Sequence, residues 1–185
     1  MLIQQAKEYY RRNGLLEALK RIPVKLRWTI FRSRDILYAC DLPGLDGRDF
    51  QLPDGVRVER RDSSTQLTDA ERRALCGDRR QGLFDEQMHE RFAKGSVLWV
   101  IKVEGQTAGM FWSIAGTTIE PHYFCLTEKD VHLYNGLILT SYRGRGLFAA
   151  LAHHILLQLQ RDGWTRVYVE TNRANTAAVK AFKRM

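Results

Sequence analysis

The 185-residue chain is poor in cysteine and has no long apolar segment. Its three widely spaced cysteines, Cys40, Cys76 and Cys125, form neither a disulfide framework nor a zinc pattern, and they fit the reducing environment of the cytoplasm. The longest uncharged apolar run, residues 97–101, is far too short to span a bilayer. Residues 1–8 lack a basic segment followed by an apolar core, so we expect no cleaved signal peptide. With 44% apolar and 27% charged residues, the composition predicts a globular cytoplasmic domain.

Familiar phosphate-binding and metal-binding motifs are also missing. The chain has neither the G-x-x-x-x-G-K-[ST] loop nor the G-x-G-x-x-G turn of nucleotide-binding folds. It contains no internal repeat and no low-complexity segment. His153 and His154 are adjacent on a predicted helix and therefore face different ways, so we expect no metal site. No base stands beside Cys125 in the sequence, which argues against a covalent thiol nucleophile.

The net charge of +8 is concentrated at the N-terminus. Residues 1–34 hold nine basic and two acidic side chains, a balance of +7, whereas the rest of the chain holds 20 basic and 19 acidic side chains, a balance of +1. Apolar residues recur at helical spacing over residues 2–21, and Pro23 ends the pattern. This amphipathic segment either docks on the domain or binds an anionic membrane surface or an acidic partner. Nucleic acid is disfavoured because no nucleic-acid-binding module accompanies the charge.

Periodicity and turn residues predict the remaining elements. The strands are expected at residues 35–42, 56–60, 96–103, 107–114, 131–140 and 165–170, and the helices at residues 65–76, 84–94, 146–161 and 175–185. Gly95 should end a helix, residues 104–106 should form a hairpin turn, and Asn135–Gly136 should form a bulge. This order predicts an α/β fold, more narrowly α+β, in which a mixed, mainly antiparallel sheet has helices on both faces. The turn-rich residues 43–55 divide a basic helical extension with a strand and loop, residues 1–54, from a domain of residues 55–185.

The most informative stretch runs from the end of one predicted strand to the start of a helix. The apolar residues 137–139 are followed by the Arg-Gly-Arg-Gly segment 143–146, and helical periodicity begins at Leu147. The first N–H groups of a helix have no intrahelical partners, and the helix dipole adds positive potential there. Glycines allow close approach of the backbone to a phosphate, and Arg143 and Arg145 add charge. The stretch therefore predicts a pyrophosphate-binding turn.

Arg143-x-x-Gly146-x-Phe148 resembles the [QR]-x-x-G-x-[GA] acyl-coenzyme A loop of the GNAT superfamily of N-acetyltransferases, except that Phe148 replaces a small residue and would crowd the first helical turn. The resemblance implies a GNAT-like fold with a splayed parallel strand pair and acetyl-coenzyme A as donor substrate in the gap. It implies that the backbone of Ile138, Leu139 and Thr140 pairs with the pantetheine arm. The pyrophosphate would be held by the loop residues Arg143, Gly144, Arg145, Gly146, Leu147 and Phe148.

A second match lies in the last predicted helix. Residues 175–182 resemble the family segment N-x-x-A-x-x-x-[YF], with Asn175 placed to cap the helix and to reach the cofactor, and Phe182 at its end. Many members have a tyrosine at the position of Phe182, where it protonates the leaving thiolate, and phenylalanine cannot do so. Either another acid or water takes over, or the thiolate leaves unaided, which a thiol with a pKa of about 8.5 does fairly readily.

The general base stays open between four residues. Glu170 ends the strand after the crossover and should lie near the splay, and Asp130, His132 and Tyr134 share or border the preceding strand. His132 and Tyr134 point to the same face by alternation, and histidine suits base chemistry near neutral pH. His122, in a predicted loop, is a further candidate to line the acceptor cleft.

The resemblance covers residues 55–185 and implies an acyltransferase that moves an acetyl group from acetyl-coenzyme A to an amine. Residues 134–136 and 142–148 look like those of acetyltransferases associated with surface-polysaccharide synthesis, which would make the acceptor an amino sugar and place the protein at the inner membrane surface. The alternative is a catalytically degenerate GNAT domain that binds acyl-coenzyme A as a sensor or scaffold. A homodimer is left open. Family members continue into closing strands, so we expect a longer native chain or a partner that supplies them.

Overall fold

A computed structural model describes residues 35–47, 50–77, 81–116 and 126–183. The strands are β1 (Asp35–Asp41), β2 (Val56–Arg61), β3 (Val97–Val103), β4 (Gln106–Ala115), β5 (Asp130–Ile138) and β6 (Arg166–Asn172). The helices are α1 (Asp69–Cys76), α2 (Gln81–Ala93), α3 (Leu147–Arg161) and α4 (Thr176–Phe182). The basic segment 1–34, His122 and Cys125 lie outside the described residues.

The six strands form one mixed sheet in the order β1-β6-β5-β4-β3-β2. Antiparallel pairing joins β2 to β3, β3 to β4, and β4 to β5, whereas β5 and β6 are parallel. This confirms the predicted fold class. At the edge of the sheet β1 lies beside β6, and the Leu42 N–H after β1 donates to the Thr165 carbonyl just before β6, at 2.9 Å.

Clustering divides the chain into residues 1–36 with 172–174 and residues 37–171 with 175–185. The second unit contains nearly all of the described structure, including most of β1. The composition of the chain predicts that β1 belongs to the N-terminal extension, and the division of the chain at residue 54 stays a prediction. In the part of the chain that the structure describes, no helix is both long and apolar enough to cross a membrane.

Local signals in the sequence account for the turns. Glu104 and Gly105 both have positive φ, at 47° and 76°, as the tight turn between β3 and β4 requires. The Gly95 N–H donates to the Phe92 carbonyl at 2.9 Å with φ at 79°, which ends α2 as expected. In β5, Asn135 has φ at 55°, and the register with β4 shifts between Met110 and Trp112, so the predicted bulge is confirmed.

Several predicted element boundaries differ from the structure, among them the start of α2, which begins at Gln81 and not at residue 84. The first helix begins at Asp69 and not at residue 65, because Thr68 and Glu71 form a reciprocal capping box there. Strand β5 ends at Ile138, since residues 140–142 turn into a 3-10 helix. The last helix, predicted to run to residue 185, ends at Phe182.

The helices pack on opposite faces of the sheet. One buried cluster, here called the α3 cluster, includes Trp99, Ile101, Phe111, Leu133, Leu151, Ile155 and Val169. The other, the α1–α2 cluster, includes Leu75, Phe84, Met88, Leu98, Val100, Met110 and Trp112. Consecutive residues 98–101 of β3 alternate between the two clusters, which explains why this strand is a continuous apolar run.

A cluster of charged side chains connects α1 to strands β2 and β3. The Glu71 carboxylate, 1% exposed, accepts a hydrogen bond from Arg61 Nη2 at 2.9 Å and lies 3.1 Å from Lys102 Nζ. Glu59 also forms ion pairs with both Arg61 and Lys102, and its Oε2 lies 2.9 Å from Lys102 Nζ. Burial alone would raise the pKa of Glu71, but hydrogen bonds from Thr68, Lys102 and Arg61 outweigh it and hold that pKa below its usual value.

Candidate active site

The glycine turn before α3 is open and left-handed at two positions. Gly144 and Gly146 have φ at 77° and 72°, a conformation that favours glycine. A Cβ at either position would meet nothing within 4 Å. The first helical hydrogen bond of α3 runs from the Ala150 N–H to the Gly146 carbonyl, so the N–H groups that precede Ala150 point out of the helix end. The turn is thus a set of exposed donors at the positive end of a 15-residue helix.

The two arginines of the turn are placed differently. The Arg143 Nε donates to the Ile138 carbonyl at 3.0 Å, which folds that side chain back over the end of β5. The Arg145 guanidinium lies over the ring of Tyr142, 5.6 Å from its centroid. Among the described residues neither arginine forms an ion pair with a carboxylate. Both cations therefore remain available to an anion.

The parallel pair opens directly beside this turn. The register of β5 and β6 covers only residues 130–133 and 166–169, and it ends with Leu133 opposite Val169. Beyond that rung β5 continues to Ile138 and β6 to Asn172 without pairing to each other. This is the splayed parallel pair that the resemblance implies, and it leaves backbone groups of both strands facing a gap.

The three residues expected to meet a pantetheine arm have distinct backbone contacts. The Leu139 N–H donates to the Ala108 carbonyl of β4 at 2.9 Å, so that N–H faces away from the gap. The Ile138 carbonyl accepts from Arg143, and the Thr140 carbonyl accepts from the Arg143 N–H at 3.3 Å. The Leu139 carbonyl accepts from the Tyr142 N–H at 2.9 Å, so the structure engages the Leu139 N–H and the carbonyls of all three residues within the protein.

Phe148 and Phe182 belong to one row of rings. The Phe148 ring packs on Phe111 at 5.3 Å and edge-on to Phe182 at 5.5 Å between centroids. Room for it comes from Gly136 in the bulge, where an added Cβ would lie 2.8 Å from Phe148. Phe148 therefore points into the α3 cluster and not into the glycine turn, and the crowding expected in the first helical turn is relieved. Leu147, at 4% exposure, anchors the same turn of α3 in that cluster.

Asn175 caps α4. Its Oδ1 accepts from the Ala178 N–H at 3.3 Å, which is the capping role expected for this position. The helix is only seven residues long, and it carries Phe182 back against Phe148.

The four candidate bases lie along one face of β5 and β6. Leu133 and Val169 belong to the α3 cluster, so their neighbours His132, Tyr134 and Glu170 face the other side of the sheet by alternation. The His132 and Tyr134 rings stack at 5.7 Å. His132 is 7% exposed and pairs in register with Tyr168, whereas Glu170 is exposed just beyond the last paired rung.

Asp130 and Tyr134 have roles of their own. The Asp130 Oδ2 accepts from the Thr127 N–H at 2.7 Å and closes the turn before β5. The Tyr134 hydroxyl shares a 2.7 Å hydrogen bond with Ser96 Oγ, and burial raises the pKa of Tyr134. A phenol that stays protonated suits a hydrogen-bond donor better than a base.

Two neighbours of this face carried no signal in the sequence. The Arg91 guanidinium lies over the rings of both Trp112 and Tyr134, at 5.2 and 5.3 Å, and Ser96 meets Tyr134 across the sheet. Neither belongs to a motif. On the opposite face of the sheet, Tyr38 on β1 packs its ring 5.5 Å from Phe182. The alternation of Tyr38 and Cys40 in a predicted strand could have indicated the face, but not the partner.

Comparison with known proteins agrees with this geometry. The sequence model of the acetyltransferase (GNAT) family matches residues 64–185, so the chain belongs to that family. Members are acyltransferases that generally use acetyl-coenzyme A. No curated protein matches the chain.

Similar solved structures are distant in sequence. An aminoglycoside acetyltransferase from an uncultured soil metagenomic sample, in complex with trehalose, has a TM-score of 0.52 at 14% identity and covers 72% of this chain and 89% of its own. A functionally unknown conserved protein from Staphylococcus epidermidis has a TM-score of 0.50 at 14% identity, with 86% and 61% covered. A GCN5-related N-acetyltransferase from Kribbella flavida has a TM-score of 0.45 at 16% identity, with 79% of this chain covered and only 53% of its own length. The first two show the fold.

The residues present fit the donor that the family implies. Exposed helix N–H groups, two left-handed glycines and two arginines without carboxylate partners among the described residues suit a diphosphate. The gap beyond Leu133 and Val169 suits an extended arm that hydrogen-bonds along a strand.

Proposed function

We propose that the protein is an N-acetyltransferase that moves an acetyl group from acetyl-coenzyme A to an amine. The observation that carries the proposal is the open glycine turn at the start of α3, beside a parallel strand pair that comes apart after Leu133 and Val169. The turn would bind the diphosphate, and the gap would admit the arm that ends in the thioester. Acetyl-coenzyme A, when bound, supplies an acyl group already activated for attack by an amine.

The chain's own residues would do the rest. Arg143 and Arg145 neutralise the diphosphate, and exposed N–H groups of the first turn of α3 donate to it. N–H groups of β5 beyond Leu133 that are not used in the pairing with β4 would polarise the acyl carbonyl in the gap. Their contribution depends on being held in place, which the packing of β5 against β4 provides.

Glu170 is the base we assign. It is exposed immediately beyond the last rung, on the face that carries His132 and Tyr134, so an ammonium acceptor would meet a carboxylate there. It takes a proton from the amine directly or through one water. His132 lies inside the paired rungs and Asp130 is engaged by a turn, so we give them positioning roles beside Tyr134.

The second candidate function is an acyl-coenzyme A sensor or scaffold without turnover. Phe182 favours it, because its ring carries no proton for a leaving thiolate. A thiol with a pKa of about 8.5 leaves without help at a useful rate, so the enzyme remains our first choice.

The narrower acceptor that we propose is an amino sugar. The support is the resemblance of residues 134–136 and 142–148 to acetyltransferases of surface-polysaccharide synthesis, together with the partly exposed aromatic ring of Tyr134 on the acceptor face. With it goes the proposal that the basic segment 1–34 binds an anionic membrane surface.

Calorimetric titration of coenzyme A into matched variants tests the turn. Gly146→Ala and Gly146→Glu carry the same backbone cost, about 1 kcal/mol for a side chain in the left-handed region, and a Cβ at this position meets nothing within 4 Å. Only glutamate puts a negative charge beside the diphosphate. We expect Gly146→Ala to keep most of the affinity and Gly146→Glu to lose it; equal affinities would refute the assignment.

Turnover is measured separately, as thiol released from acetyl-coenzyme A with a panel of amines that includes amino sugars and aminoglycosides. Release that depends on the amine supports the enzyme. Tight coenzyme A binding with no release on any acceptor supports the sensor instead.

A further inference from the structure

An arginine of α2 reaches the bulge of β5. Arg91 lies in the last turn of α2, and its guanidinium carbon is 5.2 Å from the ring centroid of Trp112 and 5.3 Å from that of Tyr134. With the Asn135 amide oriented so that its oxygen faces the guanidinium, Nη1 donates to that oxygen at 2.6 Å and Nη2 at 3.1 Å. The arginine therefore connects α2 and the two rings to the bulge.

The two rings give the guanidinium a fixed support. The Trp112 side chain is fully buried, and Phe92 packs edge-on against it at 5.0 Å. The Tyr134 ring stacks on Trp112 at 6.3 Å, and its hydroxyl shares a hydrogen bond of 2.7 Å with Ser96, which precedes β3. Because β4 lies between β5 and β3, this ring extends over β4 and its hydroxyl points away from the gap between β5 and β6.

The bulge lies where the splay begins. Leu133 forms the last rung with Val169 of β6. Two residues further on, Asn135 and Gly136 have no partner in the register of β5 with β4 or with β6, and pairing with β4 resumes at Leu137. The conformation of these two residues therefore sets the direction in which the β5 backbone enters the gap.

Little else restrains the backbone at Asn135. Its φ of 55° lies in the left-handed region, which L-residues adopt at a cost, and its side chain is exposed, so burial does not hold it. Gly136, which follows, has the widest conformational freedom of any residue. Two charge-assisted hydrogen bonds from a guanidinium that is itself held on two rings supply a restraint at this point.

We propose that Arg91 is a positioning residue for acetyl transfer: by holding Asn135, it fixes the β5 N–H groups that polarise the acyl carbonyl. This inference rests on the proposed function and extends it to a residue of α2. Preorganised donors stabilise a developing charge only while they are held in place, and a misplacement of about 1 Å can lower a rate about 10²-fold. Arg91 acts through the geometry of the bulge and not through its charge alone.

The test follows the carbonyl band of bound acetyl-coenzyme A by isotope-edited infrared spectroscopy on the full chain, a readout that needs neither an acceptor nor turnover. In wild type, the hydrogen-bonded carbonyl should absorb at a lower frequency than in free acetyl-coenzyme A. Arg91→Met keeps an apolar stem over the rings but removes the guanidinium. It should lose most of the shift, while the affinity for acetyl-coenzyme A, measured by calorimetry, changes by less than about threefold.

Turnover is the second readout. With the amine that gives the fastest thiol release in wild type, Arg91→Met should lower kcat about 10²-fold and leave the KM for acetyl-coenzyme A within about threefold. Arg91→Lys keeps the charge but not the two-donor fork, so it should behave like Arg91→Met. The matched control is Lys94→Met, which removes a cation directly after α2 whose partner is the exposed Glu90, and it should leave the band unchanged.

Variants of Asn135 show whether the arginine acts through the bulge. Asn135→Gly tolerates a positive φ but lacks the amide, so it should lose the shift, and adding Arg91→Met to it should have little further effect. Asn135→Asp restores an acceptor and should retain more of the shift than Asn135→Gly. Circular dichroism checks folding, and Asn135→Gly, at an exposed position, tests the same contact where Arg91→Met does not fold.

The outcomes separate this inference from the proposed function. A full carbonyl shift in folded Arg91→Met or Arg91→Lys overturns the positioning role and leaves the proposed function intact. A shift that is lost in Arg91→Met but kept in Asn135→Gly also overturns it, because the arginine then does not act through the bulge. An unshifted band in wild type, or failure of acetyl-coenzyme A to bind, overturns the proposed site and this inference with it.

Discussion

Glu71→Gln should destabilise the domain strongly although the change is isosteric. The wild-type carboxylate is 1% exposed and is held by Arg61, Lys102 and the Thr68 N–H. An amide keeps one acceptor for the cap but removes the charge that balances two cations, which are themselves only 16% and 17% exposed.

The expected loss of stability depends on the charged groups that remain after the substitution. Removing one partner of a buried ion pair costs about 3–5 kcal/mol. Because Glu59 still pairs with both cations, we expect a smaller loss than this range, about 2–3 kcal/mol. At about 2–4 °C for each kcal/mol in a domain of this size, Tm should fall by about 5–10 °C.

Lowering the pH should reduce the difference in the free energy of unfolding between wild type and Glu71→Gln. The folded-state pKa of Glu71 is lowered, so its stabilisation is present above the unfolded-state pKa of about 4.3 and is lost as pH falls through the folded-state value. Denaturant unfolding of wild type and Glu71→Gln, measured from pH 7 down to pH 3, should therefore converge at the acid end.

The control is Glu90→Gln, which breaks the exposed pair with Lys94, whose partners are 62% and 63% exposed. We expect a change of less than about 0.5 kcal/mol there. A loss below about 1 kcal/mol for Glu71→Gln, or one that does not shrink in acid, would contradict the reasoning.

Three further predictions concern the site and the N-terminus. Glu170→Gln should lower kcat by about 10²- to 10⁴-fold with coenzyme A affinity retained, whereas Glu128→Gln, at an exposed turn, should not; full turnover by the first would remove the assigned base. Gly136→Ala should cost about 1–3 kcal/mol in denaturant unfolding, because its methyl would lie 2.8 Å from the ring of Phe148. Deletion of residues 1–34 should weaken sedimentation with anionic vesicles while the core stays folded, and equal sedimentation would exclude the membrane proposal.

The sequence predicts well what depends on local chemistry. Positive φ at Gly144 and Gly146 needs residues without a side chain, and the Asn135–Gly136 bulge likewise carries its own signal. Capping by Asn175 is visible in the same way. These features were predictable because neighbouring residues decide them.

Contacts between elements that are far apart in the chain could not be predicted from the sequence. Nothing near Tyr38 indicates that β1 pairs beside β6 or that the Tyr38 ring meets Phe182, since both depend on a partner more than 120 positions away. The space that Gly136 leaves for the Phe148 ring could not be predicted either, because it exists only where β5 and α3 pack together. The acid–base residues are the least predictable part of the site. Residue type and strand alternation predict which face of the sheet they lie on, but not how far they are from one another or from a bound substrate.

The position of β1 determines the order in which the molecule can be completed. Its contacts with β6 include the ion pair between Asp41 and Arg166, 125 positions apart. The connection after β1 crosses α3, where Gln160 Nε2 donates to the Leu42 carbonyl and Phe50 stacks on His153 at 4.2 Å. On the ribosome, β1 leaves before α3 and β6 and must wait for both of them. Until then the strands from β2 to β5 can pair with one another, but the splayed pair of β5 and β6 has not formed. We therefore expect binding competence to appear as a late folding event, slower than the pairing of strands β2 to β5.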